Sequence, residues 1–152
     1  MKVLITTIYR GYNYGSALQA FATQEAVKKI GHKPILLDYI PERIHFWKNL
    51  RTLCHGIVIN KTIHHRYESL RGLVHLLCVE FCFGRFFKRN VTMTRPYYKK
   101  GAIYHNHIDA NVYMTGSDQV WNSFHNQGLD KVFFLDFAPA NAKRIAYAAS
   151  FG

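Results

Sequence analysis

The sequence predicts an α/β fold in which a mainly parallel sheet lies between two layers of helices. Four short apolar runs, rich in β-branched or aromatic residues, are separated by longer stretches of helical character, as expected when strands alternate with helices. The chain has 152 residues and is 49 % hydrophobic, which is enough to bury one core of this kind. The strands are predicted at residues 2–8, 35–39, 111–115 and 144–149.

The first two strands and the helix between them form a predicted βαβ unit, whose crossover should be right-handed. The helical segment, Ala17–Ile30, is rich in alanine and contains no Gly or Pro. Ser16 with Gln19 three residues later is typical of a capping box, so the helix should begin directly after Ser16. Gly31 then ends it. The free N–H groups at the helix start face the loop of residues 11–16, a position that suits an anion.

A polar cluster, T-G-S-D-Q-V-W-N, follows the third predicted strand at residues 115–122. Ligands bind open α/β sheets at the carboxyl ends of their strands, so this cluster is a candidate binding site. The structural alternative is an Asx-type turn with a helix cap at Ser117 or Asp118. Because residues 13–16 also follow a parallel strand, we expect the two loops to meet at one edge of the sheet and share a ligand.

Positive charge is concentrated in the middle of the chain. The whole sequence has 20 basic and 9 acidic residues, and residues 41–100 contain 12 Lys and Arg against 3 Glu, a net charge of +9. An anionic substrate or an anionic lipid surface fits this charge, and so does a solvated basic face. Nucleic acid is not favoured, because no nucleic-acid-binding motif accompanies the charge. The apolar spacing in this region fits helices packed on the sheet or helices lying on a membrane.

The chain begins without a recognisable signal peptide, and its most apolar stretch, residues 73–83, is shorter than a membrane span and contains His75 and Glu80. We therefore expect a cytoplasmic protein, peripheral to the membrane if it contacts one. The three cysteines, Cys54, Cys78 and Cys82, lie in apolar sequence and are predicted to be reduced and buried. His75 with the last two cysteines lacks an evident fourth zinc ligand, so we expect no metal site.

Four blocks in the same order resemble the N-terminal part of the polysaccharide pyruvyl transferase family. They are residues 13–20 (NYGSALQA) with 37–39 (LDY), residues 116–122 (GSDQVWN), residues 134–137 (FLDF), and residues 144–152 (RIAYAASFG). The resemblance spans residues 1–152 and is weakest at about 41–100. It implies a Rossmann-like three-layer domain, the N-terminal half of a two-domain architecture similar to glycosyltransferases of the B type, with a variable basic helical insertion at about 41–100.

Family members are commonly at least twice this long, so the resemblance implies a truncated chain with much of the donor site beyond residue 152. The family continues after this strand into a helix that would cover it. Without that helix, we expect the last strand to expose Ile145 and Tyr147, and such an apolar patch favours association between copies of the chain. The family transfers a pyruvyl group from phosphoenolpyruvate to sugar hydroxyls as a ketal, in cell-surface or exopolysaccharide biosynthesis. Phosphoenolpyruvate is the donor substrate, the acceptor is a sugar or lipid-linked glycan, and no cofactor or metal is implied.

Ketal formation requires a group that removes a hydroxyl proton and groups that hold the sugar and the anionic donor. Asp118 is the candidate catalytic base. Amides can bind sugar hydroxyls, two aromatic rings can stack on the sugar, and the Ser16 helix start can hold an anion. The predicted substrate-binding residues are Asn13, Tyr14, Gly15, Ser16, Gly116, Ser117, Gln119, Trp121 and Asn122.

Two other interpretations remain open. A nucleotide-binding oxidoreductase would use Asp38, at the end of the second strand, to bind ribose, but residues 11–16 (GYNYGS) lack the glycines of G-x-G-x-x-G. An inactive remnant or a sugar-binding module would have the same fold without transfer activity. Asp136, in the block at residues 134–137, is most simply interpreted as the carboxylate of a turn and not as a catalytic group.

Overall fold

A computed structural model of the chain describes residues 1–10, 13–41, 46–59, 63–106, 108–124, 126 and 128–152. Part of the predicted loop at residues 11–16, and parts of the basic region at 42–45 and 60–62, lie outside the described residues. The elements are, in chain order, β1 (Lys2–Thr6), α1 (Tyr14–Lys29), β2 (Lys33–Leu36), α2 (Phe46–Ile59), α3 (Ile63–Asn90), α4 (Lys100–His105), β3 (Val112–Asp118), a 3-10 helix (Lys131–Phe134) and β4 (Lys143–Ala149).

The four strands form one parallel sheet in the order β2-β1-β3-β4, which confirms the predicted fold class. Val3 pairs with Pro34 on one side and with Val112 on the other, and Met114 pairs with Ile145. Strand β2 begins and ends earlier than the prediction of 35–39. Beyond its end, an isolated parallel bridge joins Tyr39 to Tyr97, so the segment after α3 runs along the open edge of β2.

The core lies on both faces of the sheet, because alternate residues of each strand point to opposite sides. Val3 and Ile5 pack with α1 and with the C-terminal part of α3, through Phe83 and Phe87. Leu4 points to the other face, which is covered by residues from α4, the loop after β3 and the 3-10 helix. The result is the predicted three-layer arrangement.

Helix α1 begins earlier than the sequence predicts. Asn13 is extended (φ −108°, ψ 121°), its side-chain oxygen accepts from the Gly15 N–H, and it is the N-cap. The predicted Ser16 cap is wrong, because Asn13 already satisfies the first turn and Ser16 lies inside the helix. The predicted stop is confirmed: Gly31 has φ +82°, and the N–H of Gly31 and that of the next residue donate to carbonyls of the last turn, as in a Schellman motif.

The basic middle region forms two helices, α2 and α3, which pack on each other. One face of α3 reaches the sheet, through Phe83 and Phe87, and Leu76 is also buried. The prediction of buried cysteines is wrong, since Cys54, Cys78 and Cys82 are all exposed. On α3 the reason is the helix register, which directs the residues at 76, 83 and 87 inward and places the two cysteines off that face.

Strand β4 forms an edge of the described sheet, and most of its residues are exposed. Ile145 and Tyr147 are both exposed, as the sequence predicts. Within the described part of the chain, no helix has the length and apolar character needed to cross a membrane.

Candidate functional site

The carboxyl ends of β1 and β3 and the first part of α1 come together at one edge of the sheet. Ser117 lies at the centre of this junction. Its carbonyl oxygen accepts a hydrogen bond from the Thr7 hydroxyl at 2.9 Å, and its own hydroxyl accepts from the side-chain amide of Gln19 on α1. The start of α1 is therefore held against the end of β3, as expected for two elements at the same sheet edge.

Gly116 allows β4 to approach β3 closely at this edge. It has φ +108°, and a Cβ placed there would overlap the Tyr147 carbonyl oxygen and lie 3.3 Å from the Ala149 nitrogen. The Gly116–Ser117 peptide bond is cis. Only glycine combines this backbone angle with so close a neighbour. The glycine of the predicted cluster thus has a defined structural role.

Asp118 ends β3 in a left-handed conformation, with φ +91°, which is uncommon for a residue with a side chain. One carboxylate oxygen, Oδ1, accepts from the Gln119 N–H at 2.8 Å. Its carbonyl oxygen accepts from the Val120 and Ser150 N–H groups, which fixes the backbone on both sides. The side chain is partly exposed, so the carboxylate is positioned by the backbone and open to a ligand. Positive φ in a non-glycine residue is found disproportionately at functional sites.

The two amide side chains of the cluster bind each other. Asn122 Nδ2 donates to Gln119 Oε1 at 3.0 Å, while Asn122 Oδ1 accepts from the Phe124 N–H in an Asx turn. The chain end packs on this pair, since a Cβ on Gly152 would contact both amides. The structural alternative is therefore correct in part. The turn exists, but β3 extends through Asp118, and the alternative of a helix cap at Ser117 or Asp118 is wrong.

Trp121 lies in an aromatic cluster with Phe134 and Phe151. Its ring stacks on Phe134 at 5.5 Å with an interplanar angle of 13° and lies 5.3 Å from Phe151. The indole Nε1 donates to the Phe133 carbonyl oxygen at 3.0 Å. Because neighbouring rings occupy much of the indole surface, the flat apolar surface at this point is shared by the three rings.

The remaining predicted residues lie at the start of α1. Asn13, Tyr14 and Gly15 are exposed, and Ser16 is partly buried. The Tyr14 side chain is 74 % exposed, with its ring centroid 5.1 Å from that of Phe83 on α3. It presents a free aromatic face beside the helix N-terminus.

Sequence reasoning did not identify a buried polar network that lies at the same sheet edge, after β1 and β2. The Tyr9 hydroxyl donates to Asp38, and Arg10 Nε donates to that hydroxyl at 2.9 Å. Arg10 also pairs with Asp38 at 3.3 Å and with Glu80 at 3.6 Å. Burial raises the pKa of Tyr9 well above its usual value, and Arg10 offsets only part of that rise. The signal was present in the sequence, since Tyr9-Arg10 and Asp38 each follow a strand.

This network also bears on the dinucleotide interpretation. Asp38 is buried, and its carboxylate oxygens are engaged by Tyr9 and Arg10. A ribose would have to displace these partners, so the described structure gives no support to Asp38 as a ribose-binding acid.

Two further carboxylates lie on the opposite face of the sheet. Asp130 is buried, accepts from the Tyr39 hydroxyl at 2.7 Å, and pairs with Lys100 at 3.3 Å. Asp136 is exposed in the turn after the 3-10 helix and accepts a long bond from the Tyr104 hydroxyl. Among the described residues, no group of three or more His, Cys, Asp or Glu side chains is arranged to hold a metal ion.

Comparison with known protein families gives one result that spans most of the chain. The family model for polysaccharide pyruvyl transferase matches residues 13–152. This range includes the start of α1, the junction at Ser117 and the loop that follows it. The chain has no significant match among curated proteins or among solved structures.

Proposed function

Because this chain belongs to the polysaccharide pyruvyl transferase family, we propose that it binds the acceptor sugar for pyruvyl transfer from phosphoenolpyruvate in cell-surface or exopolysaccharide biosynthesis. The observation that carries the proposal is the junction at Ser117. There Gln19 joins α1 to the end of β3, directly beside the partly exposed carboxylate of Asp118. No cofactor enters the proposal, since phosphoenolpyruvate supplies the transferred group.

Ketal formation sets the chemical requirements of the site. A proton adds to the methylene carbon of phosphoenolpyruvate, and a sugar hydroxyl attacks the neighbouring carbon and loses its proton. Phosphate then leaves, and a second hydroxyl of the same sugar adds at that carbon and loses its proton in turn. The net products are the ketal and inorganic phosphate. A carboxylate that accepts the hydroxyl protons increases the rate of such a step about 10²- to 10⁴-fold.

Asp118 is the residue proposed to accept these protons. Its Oδ1 is occupied by the Gln119 N–H, which leaves Oδ2 to face the sugar. The constrained backbone limits the positions that the carboxylate can take, and a base must lie within hydrogen-bonding distance of the hydroxyl it deprotonates.

The other residues of the proposed site bind the sugar. Asn13, Gln119 and Asn122 would supply hydrogen bonds, and Gly15, Gly116 and Ser117 would shape the backbone around it. Tyr14 and the cluster around Trp121 offer apolar faces for the ring. The N–H groups near Ser16, at the start of α1, would hold an anionic group.

Calorimetric titration of the 152-residue chain with sugars carrying two free neighbouring hydroxyls tests this proposal. We expect binding, and we expect Asp118→Asn to weaken it about 10- to 100-fold, since a hydrogen bond to a charged group contributes about 1.5–3 kcal/mol. Asp109→Asn is the matched control, because Asp109 is an exposed loop carboxylate and the change removes the same charge. Binding that is lost equally in both variants, or retained in both, contradicts the proposal.

Phosphate release in the presence of phosphoenolpyruvate and the bound sugar then examines the transfer step. Release that depends on Asp118 extends the proposal to catalysis by this chain. Sugar binding without release restricts it to the acceptor half of the reaction.

A further inference from the structure

Helix α3 carries a continuous apolar stripe on the side that faces away from the core. Its five residues are separated by three or four positions, so they lie on one side of a helix. Each is between 48 % and 65 % exposed. This surface, called the α3 stripe below, consists of Tyr67, Leu70, Val74, Leu77 and Phe81.

The α3 stripe is separate from the face that packs on the sheet. That inner face packs on the sheet through Phe83 and Phe87, and Leu76, earlier on α3, is buried as well. With about 3.6 residues per turn, Leu76 and Phe83 project to the side of the helix opposite the stripe. Helix α3 has 28 residues, so it is about 42 Å long and presents two apolar faces. The proposed sugar site uses neither of them.

The charges around the stripe are mainly positive. Helical spacing places four exposed cations on the same side of α3, and the guanidinium of Arg85 lies 5.9 Å from the Phe81 ring centroid. Of the two acidic residues of α3, Glu68 pairs with Arg71 at 3.9 Å, and Glu80 pairs with Arg10 near the sheet. The cations beside the stripe are Arg71, Arg85, Lys88 and Arg89.

This charge pattern decides between two occupants of the stripe. A second copy of the chain would bring two mainly positive borders together, and Glu68, the acidic residue near the stripe, is already paired with Arg71, so this contact is unfavourable. An anionic bilayer satisfies both features, because the apolar side chains enter the boundary between headgroups and acyl chains while the cations meet lipid phosphates. We propose that α3 is a peripheral membrane-binding helix that lies on an anionic lipid surface through the α3 stripe.

Sedimentation of the 152-residue chain with lipid vesicles tests this proposal. We expect binding to vesicles of phosphatidylcholine mixed with phosphatidylglycerol, weaker binding at higher salt, and little binding to phosphatidylcholine alone. The double variant Leu77→Asp/Phe81→Asp should abolish binding. Arg85→Gln/Lys88→Gln/Arg89→Gln should weaken it on the order of a hundredfold, since each interfacial cation contributes about fivefold.

Ile30→Asp/Leu129→Asp is the matched control for the double aspartate variant. Ile30 and Leu129 are exposed apolar residues outside α3, so the change adds the same two negative charges away from the stripe and should leave vesicle binding unaltered. Far-ultraviolet circular dichroism checks that each variant is folded.

A second measurement does not depend on disrupting the stripe. Cys78 is exposed and lies next to Leu77, so a polarity-sensitive fluorophore attached there, with the other two cysteines replaced by serine, should shift to shorter wavelength on anionic vesicles. The proposal is overturned if the wild-type chain does not bind anionic vesicles at low salt, or if Leu77→Asp/Phe81→Asp binds them as well as wild type. It is also overturned if that variant instead converts a dimer to a monomer in sizing chromatography.

Discussion

Replacing Gly116 with alanine should destabilise the chain more than the same replacement at Gly31 or Gly128, the other described glycines with positive φ before the last residue. Two costs combine at this position. The backbone angle of +108° costs an alanine about 1–2 kcal/mol. The new methyl group would also overlap the Tyr147 carbonyl oxygen and lie 3.0 Å from its carbon, and relieving such an overlap by moving backbone costs about 1–3 kcal/mol more. We therefore expect Gly116→Ala to lower the free energy of unfolding by about 2–5 kcal/mol.

Two other glycines separate these costs. Gly128 has φ +112°, but a Cβ there would meet no described residue within 4 Å, so Gly128→Ala should cost only about 1–2 kcal/mol from the backbone angle. Gly101 lies in α4, where a Cβ would likewise meet none of the described residues, and Gly101→Ala should stabilise by about 0.5–1 kcal/mol. The three variants differ from wild type by the same single methyl group.

Urea denaturation followed by circular dichroism measures these differences. Domains of this size have a total stability of about 5–15 kcal/mol, so Gly116→Ala removes a large share and should shift the midpoint clearly. If Gly116→Ala is no more destabilising than Gly128→Ala, then the close approach of β3 and β4 at Tyr147 does not constrain this position. That result would contradict the structural role assigned to Gly116 in the site.

Two further predictions follow from the caps and the buried network. Asn13→Ala should destabilise by about 1 kcal/mol through loss of the N-cap of α1, whereas Ser16→Ala should change the unfolding free energy by less than about 0.5 kcal/mol; equal losses in urea denaturation would restore Ser16 as the cap. Because the pKa of Tyr9 is raised in the folded chain, its hydroxyl stays protonated there at a pH at which it ionises in the unfolded chain. The contribution of Tyr9 to the free energy of unfolding is therefore complete below about pH 10 and is lost as the pH rises further. Tyr9→Phe should reduce this alkaline loss, with exposed Tyr67→Phe as control, and an unchanged pH profile of unfolding would contradict the assignment.

The strands and their parallel direction were predictable from short apolar runs separated by helical stretches. Residues 111–115 and 144–149 show such runs, and the sheet contains both, with β4 mostly exposed at the edge. The prediction that α1 begins after Ser16 was wrong because Asn13 and Ser16 are both good caps, and sequence spacing does not say which one adopts the extended conformation. Which residue caps the helix depends on the backbone conformation of the chain between the preceding strand and the helix.

The organisation of the site was less predictable. Ser117 was identified from its sequence neighbourhood, but its contact with Gln19 joins residues that are 98 positions apart. In the sequence, Gln19 fits a capping box, and that local interpretation hides its long-range partner. The network of Tyr9, Arg10 and Asp38 depends on β1 and β2 being neighbours, which follows from the fold once both strands are placed.

Helix α3 shows the limit of periodicity most clearly. Its sequence contains two apolar faces, and spacing alone does not tell which one meets the sheet. The sheet is covered by Phe83 and Phe87, and this leaves the α3 stripe and the cysteines beside it exposed. The wrong prediction of buried cysteines and the proposed membrane surface therefore have the same origin, which is an apolar helix with more apolar surface than the core can cover.

The proposed sugar site adjoins the contact between α1 and α3. An almost entirely apolar groove of about 100 Å³ lies between these helices, next to the exposed start of α1. Hydrogen-bonding groups are scarce in this groove, so it suits a hydrocarbon chain better than a sugar. Phe83 lines the groove and lies on the side of α3 opposite the α3 stripe, so a bilayer bound through the stripe does not cover the groove. Gln19 ties α1, the other wall of the groove, to Ser117 beside the proposed carboxylate. A lipid-linked glycan with its lipid in the groove would therefore present its sugar close to Asp118. The groove is lined by Tyr14, Ala17, Leu18, Cys82, Phe83 and Phe86.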